Sequence, residues 1–388
     1  MTVALFDRLR STGADAVAAV LLGVAVVMSY RIGLANFLLL GAGAAAWVAW
    51  RRGLLRGRPS GRSVTRPLAV FAGLTVISAV ASVDPLASIQ EVPRLLVFLT
   101  VPLAAAVLDE RRWPLLVWGL ALSLTLLGAW GIWEYAGGAN HLGDRIHGPL
   151  SHYMTYSGWL LVAVLVVVTH ALMERQWLLL VPVGAGVVAL LLSYTRNAWV
   201  GLAVGVLVLA AVWRRRLLLV YPLVALAVWL VFPRAVVDRA LSTFDPTQHA
   251  NYDRLCMAAA GGKMIQDHPW TGVGPGMVKR TYPLYRVDDA PTWSASHLHN
   301  NPLQIAAERG LPALAAYLWL VASFTGGAWR SLPALAGRRR TVVAAGLVAF
   351  AGITAAGLFE YNFWDAEIFY LVLPLLGAAA GRAEEVQP

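Results

Sequence analysis

From Ala14 to Gly381 the chain returns again and again to long apolar runs that carry almost no charge. A run of that kind is too greasy for a soluble surface and is of the order of a bilayer in length. Of the 388 residues, 59% are hydrophobic and only 13% are charged, against about one quarter charged in soluble domains. The fold class read from this is an all-α polytopic membrane protein with about twelve transmembrane helices. The single cysteine, Cys256, excludes an intramolecular disulfide. The first run, Ala14–Tyr30, is followed at once by another and lacks a small-residue cleavage site, so it reads as an uncleaved helix.

The expected spans are Ala14–Tyr30, Gly33–Trp50, Pro67–Val83, Leu95–Leu108, Trp113–Tyr135 and Tyr156–Leu172. They continue with Trp177–Ser193, Ala198–Trp213, Leu217–Phe232, Pro302–Ala322, Val342–Phe359 and Ile368–Ala380. Several fall short of the roughly 20 residues of an ordinary span, so tilt or local thinning is required. Orientation follows from the arginines of the short loops. Arg51, Arg52, Arg56, Arg58, Arg62 and Arg66 fill one loop, Arg111 and Arg112 a second, Arg214 to Arg216 a third, and Arg338 to Arg340 a fourth. All fall on one side, together with Arg8 and Arg10, and that side is cytoplasmic by the positive-inside rule. Both termini are then cytoplasmic. The formal charge of +10 is read as topology and not as a nucleic-acid footprint.

Three regions follow: residues 1–232 with spans one to nine, an outward loop at 233–301, and residues 302–388 with the last three spans. The loop is long and polar, which in a compact membrane protein points to function. Within it, "NYDRLCMAAAGGKMIQDH" reads as helix, and "PWTGVGPGM" as a tight loop punctuated by Pro and Gly.

The residues able to do chemistry gather on this outward face. "HLHNNPLQ" is a helix start, with Asn301 as the cap, Pro302 in the first turn and Gln304 completing a capping-box-like pattern. His299 stands just ahead of it, beside free N–H groups, where a neutral imidazole is available as a base. Solvation alone would explain a lone outward histidine; two of them, His297 and His299, beside a helix start and Asn300 favour a site. Glu308 and Arg309, two turns further on, fit either a buried ion pair or a direct role. Arg196, in the short turn "SYTRN", runs against the positive-inside bias, and its guanidinium suits phosphate; the alternative is a snorkelling anchor. Arg254 is a second outward cation, unless it pairs with Asp253. Lys279 and Arg280 extend the basic surface. Glu360 and Asp365, in "FEYNFWDAE", are candidates to orient a histidine or to bind sugar hydroxyls, while Tyr361, Phe363 and Trp364 read as an interfacial belt. No His/Cys spacing resembles a metal site, and no Gly-x-Ser-x-Gly elbow occurs. A reaction without metal or cofactor is therefore expected, with arginine supplying the positive charge.

At these residues the chain resembles the O-antigen ligase and polymerase family of integral membrane glycosyltransferases. His299-Asn300, nine residues and Gly310 look like the ligase signature, although Ala313 stands where Gly, Thr or Tyr is usual. "SYTRNAW", "YDRLCMAAAGGKMIQDHPWTGVGPG" and "FEYNFWD" are similar to further family segments. The resemblance implies a GT-C-like fold in the bacterial inner membrane, with a periplasmic site. It implies a polysaccharide donor on undecaprenyl pyrophosphate and lipid A–core as acceptor, besides membrane lipids. His299 would be the general base and Arg196 and Arg254 the pyrophosphate ligands, in a single inverting step; His297 is secondary. An O-antigen polymerase and a protein O-oligosaccharyltransferase differ mainly in acceptor, and no outward arginine shows the Arg-x10-Gly spacing of the polymerases. A transporter or flippase predicts mid-span charges and internal repeats instead. Convergence of Arg196, Arg254 and His299 on one cavity discriminates against it.

Overall fold

A computed structural model describes residues 2–55, 59–231, 233–242 and 248–386. Arg56, Arg58 and Phe232 lie outside the described residues, and the side chains of Arg8 and Arg10 are likewise not described.

Nearly everything described is helix. In chain order the helices are α1 Thr2–Val27, α2 Ile32–Arg51, α3 Arg62–Val80, α4 Pro85–Ile89, α5 Thr100–Val107, α6 Trp113–Ala136, α7 Tyr153–Met173 and α8 Leu180–Leu192. They continue with α9 Arg196–Val212, α10 Val220–Val231, α11 Arg234–Leu241, α12 His249–Asp267, α13 Val278–Tyr285, α14 Asn301–Ser331, α15 Gly337–Ala356 and α16 Ala366–Glu384. A two-residue hairpin, β1 Asn140–His141 with β2 Asp144–Arg145, joins α6 to α7.

Over the described residues the apolar runs fall largely on helix, because an apolar segment in lipid must satisfy its backbone internally. Among the described residues, eight helical stretches are long and apolar enough to cross a membrane. The runs at Gly13–Val27, Trp177–Leu192 and Arg196–Val212 are shorter apolar helices. The fourth run is a broken helix, Pro85–Val107, and not one rod.

The central helices α7, α15 and α16 are buried over most of their length, and α9, α3, α5 and α6 pack around them and their neighbours. Outer helices turn large apolar side chains outward, among them Phe37, Leu40, Leu115, Trp133 and Trp229. In water such a surface would aggregate; against lipid it is what solvation requires.

The 233–300 segment builds its own small core. Met257, Met264, Val273, Val278, Tyr282 and Leu298 pack together, with Ala307 of α14 among them. The segment is therefore folded against the bundle. Its "PWTGVGPG" turn docks on a break in α14 at Gly310, which has φ 81° and ψ 170°. The break has a local cause. Pro312 has no N–H to offer the carbonyl of Glu308, and that carbonyl accepts from Gly274 N (2.9 Å) and Ser78 Oγ (3.0 Å) instead. Ala307 O accepts from Val273 N (2.9 Å), and Leu311 N donates to Pro269 O (2.8 Å). The carbonyls of Ala307 and Glu308 and the N–H of Leu311 thus find partners in the turn. The approach leaves no room for side chains: a Cβ on Gly272 would stand 2.2 Å from the Glu308 backbone.

Glu308 and Arg309 now have a place. They form a buried ion pair of 2.7 Å at this junction. The other Glu308 oxygen accepts from Gly276 N (3.0 Å), and Arg309 donates to Tyr361 Oη (3.2 Å) and lies 4.3 Å from the Trp364 ring centre. The pair binds the turn, α14 and the 357–365 loop together. Removing one partner of such a pair costs about 3–5 kcal/mol, because it strands a buried charge.

Candidate active site

The α14 start differs in register from the sequence expectation. Asn300, not Asn301, is the cap; its side chain accepts from Leu303 N at 2.8 Å, a contact of about 1 kcal/mol. Asn301 is free for another task. Its Oδ1 accepts from Asn362 N (3.0 Å) and Phe363 N (3.1 Å), and its own N–H donates to Gly357 O (2.7 Å). Gln304 does not close a capping box on the cap residue: its Oε1 accepts from Leu298 N at 2.7 Å. These bonds pull the 357–363 loop onto the helix start, and so Glu360 reaches the histidines.

Glu360 is the centre of the cluster. Its Oε2 is 2.8 Å from His299 Nδ1, and its Oε1 is 3.5 Å from His297 Nδ1. The two imidazole rings are 4.2 Å apart. Burial opposes ionisation of Glu360, but the hydrogen bond from His299 and the charges of His299 and His297 outweigh it and hold the carboxyl below its usual range. A carboxylate only accepts, so the Nδ1 of His299 carries a proton, and in the neutral ring the lone pair is on Nε2. His297 is pushed down to about 4: burial dominates, and His299, His152 and Arg254 add to it while Glu360 opposes. His297 is therefore neutral near pH 7. His299 has φ 49°, a left-handed conformation that costs about 1–2 kcal/mol in an L-residue. Such strain persists where the surroundings over-determine it, as the Glu360 bond and the Asn300 cap do here.

Arg196 opens α9. Its Nη1 donates to Ser242 O (2.8 Å) and its Nη2 to Asn251 Oδ1 (2.6 Å). Both partners are neutral, so among the described residues the guanidinium is aimed but not neutralised, and at 7% exposure it does not snorkel. Arg254, one turn into α12, does not pair with Asp253. That carboxylate accepts instead from Thr292 N (3.2 Å) and Thr292 Oγ1 (2.7 Å). Among the described residues no carboxylate lies within ion-pair distance of Arg196 or Arg254.

Arg196, Arg254 and His299 line one cavity of about 380 Å³. The rest of its wall is largely apolar, with Val200, Leu255, Leu303, Leu358 and Phe359. Three residues chosen from separate parts of the sequence thus converge. A second cavity of about 400 Å³ lies across the histidine pair and is lined by His297, Glu360 and Asp365, with His152 and Arg94. Asp365 caps α16 through Glu367 N (3.1 Å) and accepts from Thr155 Oγ1 (2.6 Å).

Other expectations move. Lys279 and Arg280 line neither cavity, and Arg280 is paired with Asp84. The aromatic belt is overturned. Phe363 and Trp364 are 8% and 7% exposed; Phe363 packs on Phe71, Tyr317 and Phe369, and the Trp364 Nε1 donates to Glu91 (2.9 Å). They are interior because the loop folds inward around Asn301. The expectation of no metal-binding cluster also changes, since it came from linear spacing. One ligand atom each from His297, His299 and Glu360 lies within 4.8 Å of the others. The carboxylate comes from 61 residues downstream of His299, where spacing cannot reveal it.

Three residues escaped the sequence reading. His152 caps α7, accepting from Met154 N (3.2 Å), and burial, joined by the charges of His299 and Arg145 against Glu360 and Asp365, holds it below the ordinary histidine value. Arg145, on the hairpin, lies 4.2 Å from the Tyr153 ring centre. Arg239, on α11, is pushed down to about 10 by burial and then by the positive charges of Arg196, Arg145 and Arg254. The only available signal was position, outside a span on the same face as the long loop.

Residues 178–318 match the family model described as O-antigen ligase. This match supports an O-antigen ligase/polymerase family assignment. The matched stretch contains Arg196, Arg254 and His299, and ends before Glu360. No curated protein matches the chain. For this family the enzyme class is that of membrane glycosyltransferase-like ligases and polymerases acting on lipid-linked polysaccharide.

Proposed function

We propose that this protein is an O-antigen ligase. It transfers a polysaccharide from undecaprenyl pyrophosphate to the core oligosaccharide of lipid A, at the periplasmic face of the bacterial inner membrane. The convergence of Arg196, Arg254 and His299 on one largely apolar cavity carries the reading. An apolar wall with two guanidinium groups that pair with no carboxylate among the described residues suits a lipid diphosphate, and a base faces the same space. A transporter gives no reason for that grouping.

The chemistry follows from the geometry. The His299 Nε2 takes the proton of the acceptor hydroxyl, across about 3 Å or through one water. The acceptor oxygen forms a bond to the anomeric carbon as the bond from that carbon to the phosphate oxygen breaks, with inversion. The bonding pair leaves with the polyprenyl pyrophosphate, which gains one negative charge. Arg196 and Arg254 stand where that charge grows. Glu360 steadies the imidazolium that forms and fixes the tautomer that can accept the proton. The step needs no redox partner. Arginine supplies the charge that a metal gives elsewhere.

The test uses purified enzyme, a polyprenyl-pyrophosphate glycan and lipid A–core. High-molecular-weight lipopolysaccharide forms without added metal. Self-polymerisation of the donor with lipid A–core left untouched would replace the ligase reading by the polymerase one.

A further inference from the structure

Two cavities flank the His297–His299 pair, and their chemistry is opposite. The first holds Arg196 and Arg254 in an apolar wall without a carboxylate. The second is polar and holds four carboxylates, Glu91, Glu308, Glu360 and Asp365, against one arginine, Arg94. A diphosphate fits the first and is repelled by the second. A saccharide rich in hydroxyl groups fits the second, because hydroxyls both donate to carboxylates and accept from amides and guanidinium groups.

The second cavity also contains buried donors that the protein leaves without a close hydrogen bond. Gln304 is fully buried and lines it; its Oε1 is used by Leu298 N, while its Nε2 faces the Glu308 carboxylate without a close hydrogen bond. The neighbouring Glu308 has its oxygens engaged by Arg309 and Gly276. The Nδ1 of His297 stands 3.5 Å from Glu360 Oε1 without hydrogen-bond geometry. Buried donors are rarely left unmatched, so the cavity is built for a ligand that brings acceptors. Arg94 pairs with Glu91 at 2.7 Å but keeps half of its side chain exposed at the rim.

We propose that this second cavity is the acceptor subsite, where Arg94, Gln304, His152 and His297 hold the hydroxylated saccharide end that receives the glycan. The inference rests on the ligase reading of the first cavity and adds the location and chemical class of the second substrate. A sugar seated there lies beside the histidine pair. One hydroxyl passes His297 to reach His299, whose ring centre is 4.2 Å beyond. The carboxylate lining selects an uncharged, polyhydroxylated terminus over a phosphorylated one. Arg94, Gln304 and His297 are specificity and positioning residues, not part of the bond-breaking machinery.

The experiment measures initial rates with the full-length enzyme, varying a polyprenyl-pyrophosphate glycan and lipid A–core separately. Arg94→Gln changes a half-exposed side chain. Gln304→Glu keeps the oxygen that Leu298 N needs and removes the unmatched donor. Each is expected to raise the acceptor KM about tenfold, the worth of one hydrogen bond to a charged or buried group, with the donor KM unchanged within about twofold. Arg254→Gln does the reverse. Core oligosaccharide freed of lipid competes with the acceptor, and phosphatase treatment leaves that competition intact or improves it. An acceptor KM unmoved in both variants, a donor KM that moves in step with it, or competition abolished by phosphatase treatment overturns the assignment while the ligase reading stands. A wild-type enzyme that consumes no polyprenyl-pyrophosphate glycan removes the ligase reading itself, and this inference with it.

Discussion

The arginines at one end of the bundle and the two arginines of the first cavity are treated differently. At the end where α6 and α15 begin and α16 finishes, arginines meet carboxylates. Arg382 is 3.4 Å from Glu110 and 3.2 Å from Glu385, Arg339 is 3.1 Å from Glu110, and Arg62 is 3.0 Å from Glu384. Arg112, beside them, pairs with Asp15 at 2.9 Å. In the first cavity Arg196 rests on a carbonyl and an amide, and Glu360 beside it is engaged by histidines, whereas Arg94, Arg280 and Arg309 of the same end are paired with Glu91, Asp84 and Glu308. Charge that is neutralised anchors a fold. Charge that is aimed and left uncompensated attracts a ligand.

The sharpest way to break this contrast is to remove the base. His299→Ala should lower transfer by about 10²–10⁴-fold, the usual worth of general-base catalysis, with the melting temperature and far-ultraviolet circular dichroism little changed. Near-normal turnover would end the general-base assignment. Next come the cations. Arg196→Gln and Arg254→Gln should each reduce kcat/KM by about 10²–10³-fold, as for loss of one charge-stabilising group. The same substitution at Arg339, on the opposite end, should leave kcat/KM within about twofold. Equal losses at the two ends would erase the distinction.

A smaller effect is expected for Glu360→Gln. It acts through His299, so kcat should fall about 10–100-fold while the donor KM holds, and the pH–rate profile should shift. Loss of rate with no change in that profile would make Glu360 merely structural. Chelator treatment should leave transfer unchanged within about twofold, whereas added Zn²⁺ should inhibit by seizing His297, His299 and Glu360. Activation by Zn²⁺ would require a different mechanism.

The smallest effect concerns pH and stability. His297 titrates near 4 in the folded chain and near 6.5 when unfolded. The unfolded chain therefore binds more protons between those values, and stability falls as pH drops through that window. His297→Gln should flatten the fall between about pH 6.5 and 4 and leave stability above pH 7 unchanged. An identical slope in both proteins would show that other groups set it.

How much of this was legible beforehand depends on the force involved. The apolar runs predicted helices well, since lipid imposes one rule on every backbone group. Sidedness, read from loop arginines, put Arg196, Arg254 and His299 on one face, and the three do line one cavity. Capping was legible to within one residue: Asn300 and Asn301 are chemically identical, and only the Gly357–Phe363 loop tells them apart. Trp364 and Phe363 were misread because belt composition and core composition are the same; their burial depends on a fold-back that no local pattern encodes. His152 was missed for the same reason. Its sequence surroundings carry no motif, and its proximity to Glu360 is wholly tertiary.

The stapling of residues 357–363 onto the start of α14 has a consequence for timing. A ribosome makes Arg196, Arg254 and His299 before Glu360, which follows His299 by 61 residues. Until the 357–363 loop has been made and folded back onto the start of α14, the histidine lacks its carboxylate and the second cavity lacks a wall. The cluster therefore forms in two stages, the arginines and histidine first and the carboxylate that orients the histidine afterwards.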